Sequence, residues 1–467
     1  MSSLLILIPF ISIIFLNLPL GAITRKPAFL LAGAFLLFQI TLALLHPFVN
    51  WSNFNDPFGA FLVFRLMVDN LSIVLILAIG IVGLVTTIVA RSIIAQEQDR
   101  LNFLNLLLVA VMGMNTLVMV RDLFSVYVFI EVTAVASFIL IAMQKDKLAL
   151  EGAFKYLILS AVATIMMLSA VAIFVLLSGS TSFSAVTGAF AVSENIMLAR
   201  LAMGLFICGL CIKSGIVPFH SWVPDAYSAA PSPVSVLLAG IVTKASGVYV
   251  LIRLITSVFV LNLEVQNILM FLGALSILVG AIAAMTQTDF KRMLSFSSIS
   301  QVGYIILGLG CNTPLAIIGA VFHLFNHAIF KSLLFVNAAS VEKQVNTTDI
   351  EKMGGLGSRM PVTGATSVIG LLSTAGVPPL AGFWSKLMII LALFSSGNFA
   401  YATVALLASV LTLGYFLTLE RKVFFGKIRA GLENTKEASF GLVFSQVLLA
   451  AITIGVGVAF PFVLKWF

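Results

Sequence analysis

Charge is what this 467-residue chain has least of. Only 9% of its residues are Asp, Glu, Lys or Arg, against about 25% in soluble domains. Together with 61% hydrophobic residues and a mean hydropathy of +1.15, that scarcity excludes a water-soluble fold. Cysteine is equally sparse. Cys208 and Cys211 form a CxxC pair on an apolar stretch, and Cys311 stands alone. An iron–sulfur or zinc site needs about four ligands, so these three read as small packing residues. Nucleotide-loop and flavin signatures are missing too, and no redox cofactor or metal is expected. The first apolar stretch lacks a basic leader and is too long for a typical cleaved signal peptide.

What the chain does have is apolar runs of about 20 residues, each able to cross roughly 30 Å of hydrocarbon as a helix. Fourteen are expected, covering about 3–23, 28–48, 68–90, 102–120, 123–143, 153–178, 198–218, 234–256, 266–286, 292–311, 314–340, 361–393, 400–420 and 440–464. A loop with Trp51, Asp56 and Pro57 joins the second to the third. The net charge of +8 sits mostly in loops after odd-numbered segments, among them Arg25, Lys26, Arg91, Arg100, Lys145, Lys147, Lys291, Arg292, Lys343, Lys352, Arg359, Arg421 and Lys422. Loops after even-numbered segments hold little beyond Arg65, Arg121, Arg200 and Arg253. The positive-inside rule places the odd-following loops in the cytoplasm and both termini outside. The charge is thus a matter of topology, and no nucleic-acid partner is expected.

Segments four to eight and nine to thirteen look like two versions of one five-helix unit. In each, the fourth segment is interrupted. The seventh breaks at Gly215 and Pro218, and the twelfth at Gly376, Pro378 and Pro379. Five is odd, so successive units enter from opposite faces and form an inverted pair. Paired breaks in corresponding segments point to an ion or substrate site near the midplane. Against this stands the plainer reading that Gly and Pro merely kink helices; two breaks in register, each beside a lysine, weaken it. The expected division is 1–100 for the first three helices, 101–258 and 259–425 for the repeats, and 426–467 for the last helix.

The few charges inside apolar runs matter most, because a lysine at the bilayer centre costs roughly 2.5–3.5 kcal/mol on insertion scales. Glu131 lies in the middle of segment five, and Lys213, Lys244, Lys331 and Lys386 are its basic counterparts. His323, His327 and Lys331 follow at i, i+4 and i+8, one face of a helix over about 12 Å. Together they describe a lateral polar chain. Lysine suits it because desolvation opposes the charge and a nearby carboxylate restores it, so changing the Glu131–Lys213 separation would gate proton affinity. The histidine pair could instead hold a haem or metal, but no further ligand is evident. Snorkelling to the interface would explain Lys155, and Lys386 if its helix began later. His220, at the seventh-segment break, is either a proton-entry residue or a cap. Asp225 is a candidate for entry or gating, more naturally a loop anchor. Asp69 and Asp122 read as helix N-terminal carboxylates.

At these residues a family becomes recognisable. IKSGIVPFHSWVPDAYSAAPSPVS and GIVTKASGVYVLIR resemble the signature region of the antiporter-like subunits of respiratory complex I, Mrp-type cation/proton antiporters and energy-converting membrane hydrogenases. DLFSVYVFIE, FHLFNHAIFKSLLF and GVPPLAGFWSKL are similar to further motifs in the same order, and the resemblance covers about residues 65–425. It implies an all-α fold of fourteen transmembrane helices with two inverted five-helix repeats and discontinuous helices 7 and 12. It also implies passage of protons, or of sodium in some members, along a central hydrophilic axis. By position, Glu131 and Lys213 resemble the coupled pair of the first half-channel and Lys244 the connecting lysine. Lys331 with His323 and His327 resembles the second-half relay, and Lys386 the terminal residue toward the exit. The chain resembles the shorter subunits, which lack a long lateral helix. Lys386 stands where some short members have glutamate, and Asn70 where glycine is common.

The expected function is therefore ion translocation within a complex-I-like or Mrp-type assembly in an energy-coupling membrane, driven by partners. Those partners are other membrane subunits, with a soluble iron–sulfur arm in redox-driven members. The rivals are a freestanding cation/proton or solute transporter, and a structural subunit whose charges only join helices.

Overall fold

The computed structural model describes residues 2–18, 27–46, 66–191 and 196–464. Arg25, Lys26, Trp51, Asp56, Pro57 and Arg65 lie outside the described residues. Within these residues the fold is helical, and its only extended pairings are three isolated bridges. The first helices are α1 (Leu4–Leu16), α2 (Ala28–Leu45) and α3 (Asn70–Ile93). The first unit contains α4 (Glu97–Met119), α5 (Leu123–Ile141), α6 (Lys147–Ser178), the short α7 (Phe183–Ala189), the broken pair α8 (Ile196–Ser214) and α9 (Trp222–Ala229), and α10 (Ser232–Ser257). The second contains α11 (Leu263–Met285), α12 (Phe290–Cys311), α13 (Pro314–Val345), the broken pair α14 (Pro361–Ala375) and α15 (Ala381–Ser395), and α16 (Phe399–Val423). Then come α17 (Phe440–Val458) and a last turn, α18 (Phe460–Val463).

Twelve of these helices are long and apolar enough to cross a membrane. The α14–α15 pair supplies one more crossing in two halves, and α1 occupies the place of the first segment with 13 residues. Borders differ from the expected ones chiefly where polar residues extend a helix. α6 starts at Lys147 rather than near 153 because Asp146 accepts a hydrogen bond from the Ala149 amide and caps it.

The repeat is visible in matched details. Asp122 caps α5 through the Ser125 amide and accepts from Thr181, 59 residues on; Asp289 caps α12 through the Arg292 amide and accepts from Thr348, also 59 on. Both broken helices stop at a left-handed glycine, Gly215 at φ +66° and Gly376 at φ +88°, a conformation only glycine adopts cheaply. A cis peptide bond follows each time, Val217–Pro218 and Pro378–Pro379. Burial then orders the layers. Over its membrane window α10 is wholly buried and α12 and α13 nearly so, whereas α6 is mostly exposed along its length. Lys244 and Lys331 lie on two of these central helices, α10 and α13.

α10 departs from the expected regular helix. It is π-helical over Leu238–Val242 and again over Lys244–Tyr249. Such bulges sit often at functional sites, and Lys244 opens the second of these two.

Candidate functional site

Glu131 and Lys213 meet. The Lys213 ammonium donates to Glu131 Oε1 at 2.7 Å and also to Ser160 Oγ, while Thr164 Oγ1 donates to the same carboxylate oxygen at 2.7 Å. The lysine side chain is 1% exposed and the glutamate 26%, so the pair reaches from the core to the outer surface of the bundle. Lys213 is positioned by the last turn of α8, just before the Gly215 break. Ser214 beside it packs against Gly247 of α10, where any side chain would collide with its backbone.

Lys244 is fully buried and folds back to donate to the Ala239 carbonyl inside the first π stretch. At the residue before it on α10, Thr243 shares a 2.7 Å hydroxyl contact with Tyr227, and Tyr227 also donates to the Leu238 carbonyl. From Lys244 the polar row continues into the second unit. His327 lies within electrostatic reach of Lys244, Lys331, His323 and Lys386. Its ring stacks on His323 at 6.2 Å between centroids, and neither of its nitrogens has a partner among the described residues. His323 Nδ1 bonds Ser385 at 2.8 Å. Lys331 donates to Ser297 and to the Leu294 carbonyl, and its ammonium rests 5.6 Å from the centre of the Phe416 ring. Lys386 donates to the Thr374 carbonyl at 2.8 Å and lies 4.3 Å from the Tyr304 ring centre. It is 3% exposed and does not snorkel.

Two candidates fall elsewhere. Asp225, in the first turn of α9, accepts from Lys155 at 2.7 Å and from Arg292 at 2.5 Å, tying the two units together at the face that carries the basic loops. The loop-anchor reading describes that geometry. Lys155 is partly exposed at that same face and pairs with Asp225 and Glu151. His220 is half-buried in the turn between α8 and α9.

Sequence reasoning missed three groups. Asp69 caps α3 but also takes a bidentate grip from Arg253 at 2.6 and 2.7 Å, with Arg121 at 3.2 Å. Burial alone would raise that carboxyl's proton affinity, yet Arg253, the Ser72 amide and Arg121 hold it well below the usual carboxylate range. Glu342 is a second. It accepts from Ser232 and from buried Lys291, on the wall of a cavity of about 500 Å³ at the basic-loop face. The third is Glu420 of α16, completely buried and hydrogen-bonded by Ser367. Each lies near a helix end beside polar residues, where a charge costs nothing in the sequence pattern. Only the fold reveals that loops or neighbouring helices bury it.

A buried acid–base row threading two broken helices defines a class of membrane protein, and comparison with known proteins agrees. Residues 120–412 match the family described as NADH:quinone oxidoreductase/Mrp antiporter, TM. The chain is similar to a Na(+)/H(+) antiporter subunit of Alkalihalophilus pseudofirmus, 32% identical over 410 residues that cover 87% of this chain and 82% of that one. It is similar to an NADH-quinone oxidoreductase subunit of Desulforudis audaxviator, 32% identical over 370 residues, 78% of this chain and 73% of the other. A chain of the Mrp complex from Dietzia sp. superposes over 100% of this chain and 96% of its own, with TM-score 0.89 at 20% identity. The chain belongs to the NADH:quinone oxidoreductase/Mrp antiporter membrane family. It is an antiporter-like subunit of that family, an integral membrane protein whose relatives work inside multi-subunit complexes. A freestanding transporter is not favoured.

Proposed function

We propose that this subunit moves protons across a prokaryotic plasma membrane by lateral relay through Glu131, Lys213, Lys244, His327, His323, Lys331 and Lys386. The observation that carries the reading is the Glu131–Lys213 ion pair, standing at the head of a row of buried titratable side chains that leads to the second broken helix. Charges this deep are expensive and belong to ion pathways far more often than to packing. Each lysine in the row holds a neutral acceptor (Ser160, the Ala239 carbonyl, Ser297 or the Thr374 carbonyl) that binds an ammonium without fixing its proton.

Of the lysines in the row, only Lys213 has a carboxylate partner among the described residues. Drawing Glu131 toward Lys213 favours the charged lysine, and drawing it away releases a proton into the row. Because Glu131 is partly exposed on the outer surface of the bundle, a neighbouring subunit covers that face in this reading and moves the carboxylate. Protons rather than sodium are favoured by the row's make-up, since lysine and histidine nitrogens take up and release protons and, once protonated, repel a metal cation. In this reading, by the positive-inside rule, the basic loops face the cytoplasm and both termini lie outside. The expected division at residues 101, 259 and 426 follows the same pairing of broken helices.

The test is transport by the intact assembly in sealed vesicles. Lys213→Ala and Glu131→Ala should each assemble normally and lose proton transport about a hundredfold, the low end for a positioned proton carrier. Normal transport in both variants would sink the relay.

A further inference from the structure

The row described so far ends inside the protein, and the two units do not offer it the same way out. Counting back from the glycine that ends each first half-helix, α8 presents Ala202, Leu205, Phe206, Gly209 and Lys213 where α14 presents Thr363, Thr366, Ser367, Gly370 and Thr374. One stripe is apolar up to its lysine. The other carries hydroxyls at four of its five positions, spanning about 16 Å at 1.5 Å per residue.

That α14 stripe is wired at both ends. At the basic-loop face, Thr363 donates to the half-buried Glu437 at 2.7 Å and meets Gln446, which donates to Ser340 of α13 at 2.7 Å. One turn deeper, Thr366 bonds the Asn337 side chain of α13 at 3.2 Å, and Ser367 donates to Glu420. At the inner end the Thr374 carbonyl holds Lys386. Glu420 is the one ionisable group along the buried part of this stripe. It is 0% exposed, its Oε2 has no hydrogen-bond partner, and no cation pairs with it among the described residues. One turn before it on α16 stands Phe416, the ring against which the Lys331 ammonium rests.

We propose that Glu420 is a proton-carrying site that joins the row, through Lys331, to the basic-loop face along the hydroxyl stripe of α14. A proton taken up at Glu437 passes the hydroxyls to the Glu420 carboxylate, bonds there to give the acid, and leaves to the neutral Lys331 amine, restoring the carboxylate. No oxidant or reductant takes part. The proposal rests on the relay reading and adds the side of the membrane to which the second unit opens.

The experiment uses the intact assembly in sealed vesicles, with Glu420→Gln, Glu420→Asp, Ser367→Ala and Lys331→Ala compared with the unmodified protein. Glu420→Gln should lose proton transport about a hundredfold, Glu420→Asp should recover much of it, and Ser367→Ala should lose several-fold while keeping the carboxyl. Infrared difference spectra on acidification should contain a carboxylic-acid C=O band that Glu420→Gln abolishes, a signal that a merely structural carboxyl would not give. If Glu420→Gln does not assemble, Ser367→Ala and the infrared band in the unmodified protein decide. Transport within about twofold of normal in either assembled variant, with Lys331→Ala inactive, overturns the Glu420 assignment alone. Normal transport in Lys331→Ala overturns the relay and this site with it.

Discussion

The two broken helices, α8 and α14, share a turn and differ in everything that leads to it. Both stop at a glycine of positive φ followed by a cis X–Pro bond, so the backbone at the break is the same device twice. α8 then places its charge at the break itself, Lys213, and seals the preceding turns with Ala202, Leu205 and Phe206. α14 puts threonine at the matching position and leaves the cation to α15, where Lys386 occupies the place that Asp225 holds on α9. The helices behind them diverge likewise. The shift that carries Asp122 to Asp289 also carries Tyr249 and Arg253 of α10 to Phe416 and Glu420 of α16. Arg253 is clamped by Asp69 and stacked over Tyr249, whereas Glu420 has only a serine. A duplicated scaffold thus holds a locked charge at one end and a free one at the other. Inverted halves with identical chemistry would open to both faces alike; under the Glu420 proposal these do not.

The sharpest way to break that comparison is to write one helix into the other. Ser367→Phe gives α14 the residue that α8 carries at Phe206, and it should depress proton transport about a hundredfold while the assembly still purifies intact. Normal transport would mean that the polarity of the stripe is irrelevant. Next in size is Arg253→Ala, which removes the bidentate partner of the Asp69 carboxylate and leaves it Arg121 and Ser72. Asp69 is 47% exposed, so the cost should be about 1–2 kcal/mol rather than the roughly 3–5 of a sealed pair, read as a lowered Tm in detergent. Because the folded state holds Asp69 below the ordinary carboxylate range, this contribution is complete above about pH 4 and fades only as the pH falls through the lower folded value. The Tm gap between the two proteins should therefore be flat from neutral pH to about pH 5. The smallest effect tests what the halves share. Asp122→Ala and Asp289→Ala each remove an N-cap and a threonine partner, and should cost the same, about 1 kcal/mol apiece.

How much of this was legible in the sequence follows from what each feature costs. Glu131, Lys213, Lys244 and Lys331 stand out because a charge within an apolar run has no cheap explanation, and the structure brings the first two together. Gly215 and Gly376 stand out for the same reason in backbone terms. The hydroxyl stripe of α14 was invisible, since threonine and serine barely disturb hydropathy and their direction becomes known only once Glu437, Asn337 and Glu420 surround them. Glu420 itself is the last residue of its apolar run, just before Arg421 and Lys422, and reads as a helix end near the surface, yet α16 continues past it and ends with the Phe424 amide bonded to its carbonyl. The π stretches of α10 had no signature at all. They contain no proline, and the glycines that let α10 approach its neighbours look like those of any membrane helix.

The partial exposure of Glu131 has a meaning for the life of the chain before it works. A carboxylate a quarter open on the outer surface of the bundle is better accommodated beside another protein, since facing lipid the part that Lys213 and Thr164 do not satisfy is left in hydrocarbon. A copy synthesised in excess of its neighbours is therefore the less stable form of the same molecule. If Glu131 heads the relay as proposed, the same acid would also favour chains that have found their place over those that have not.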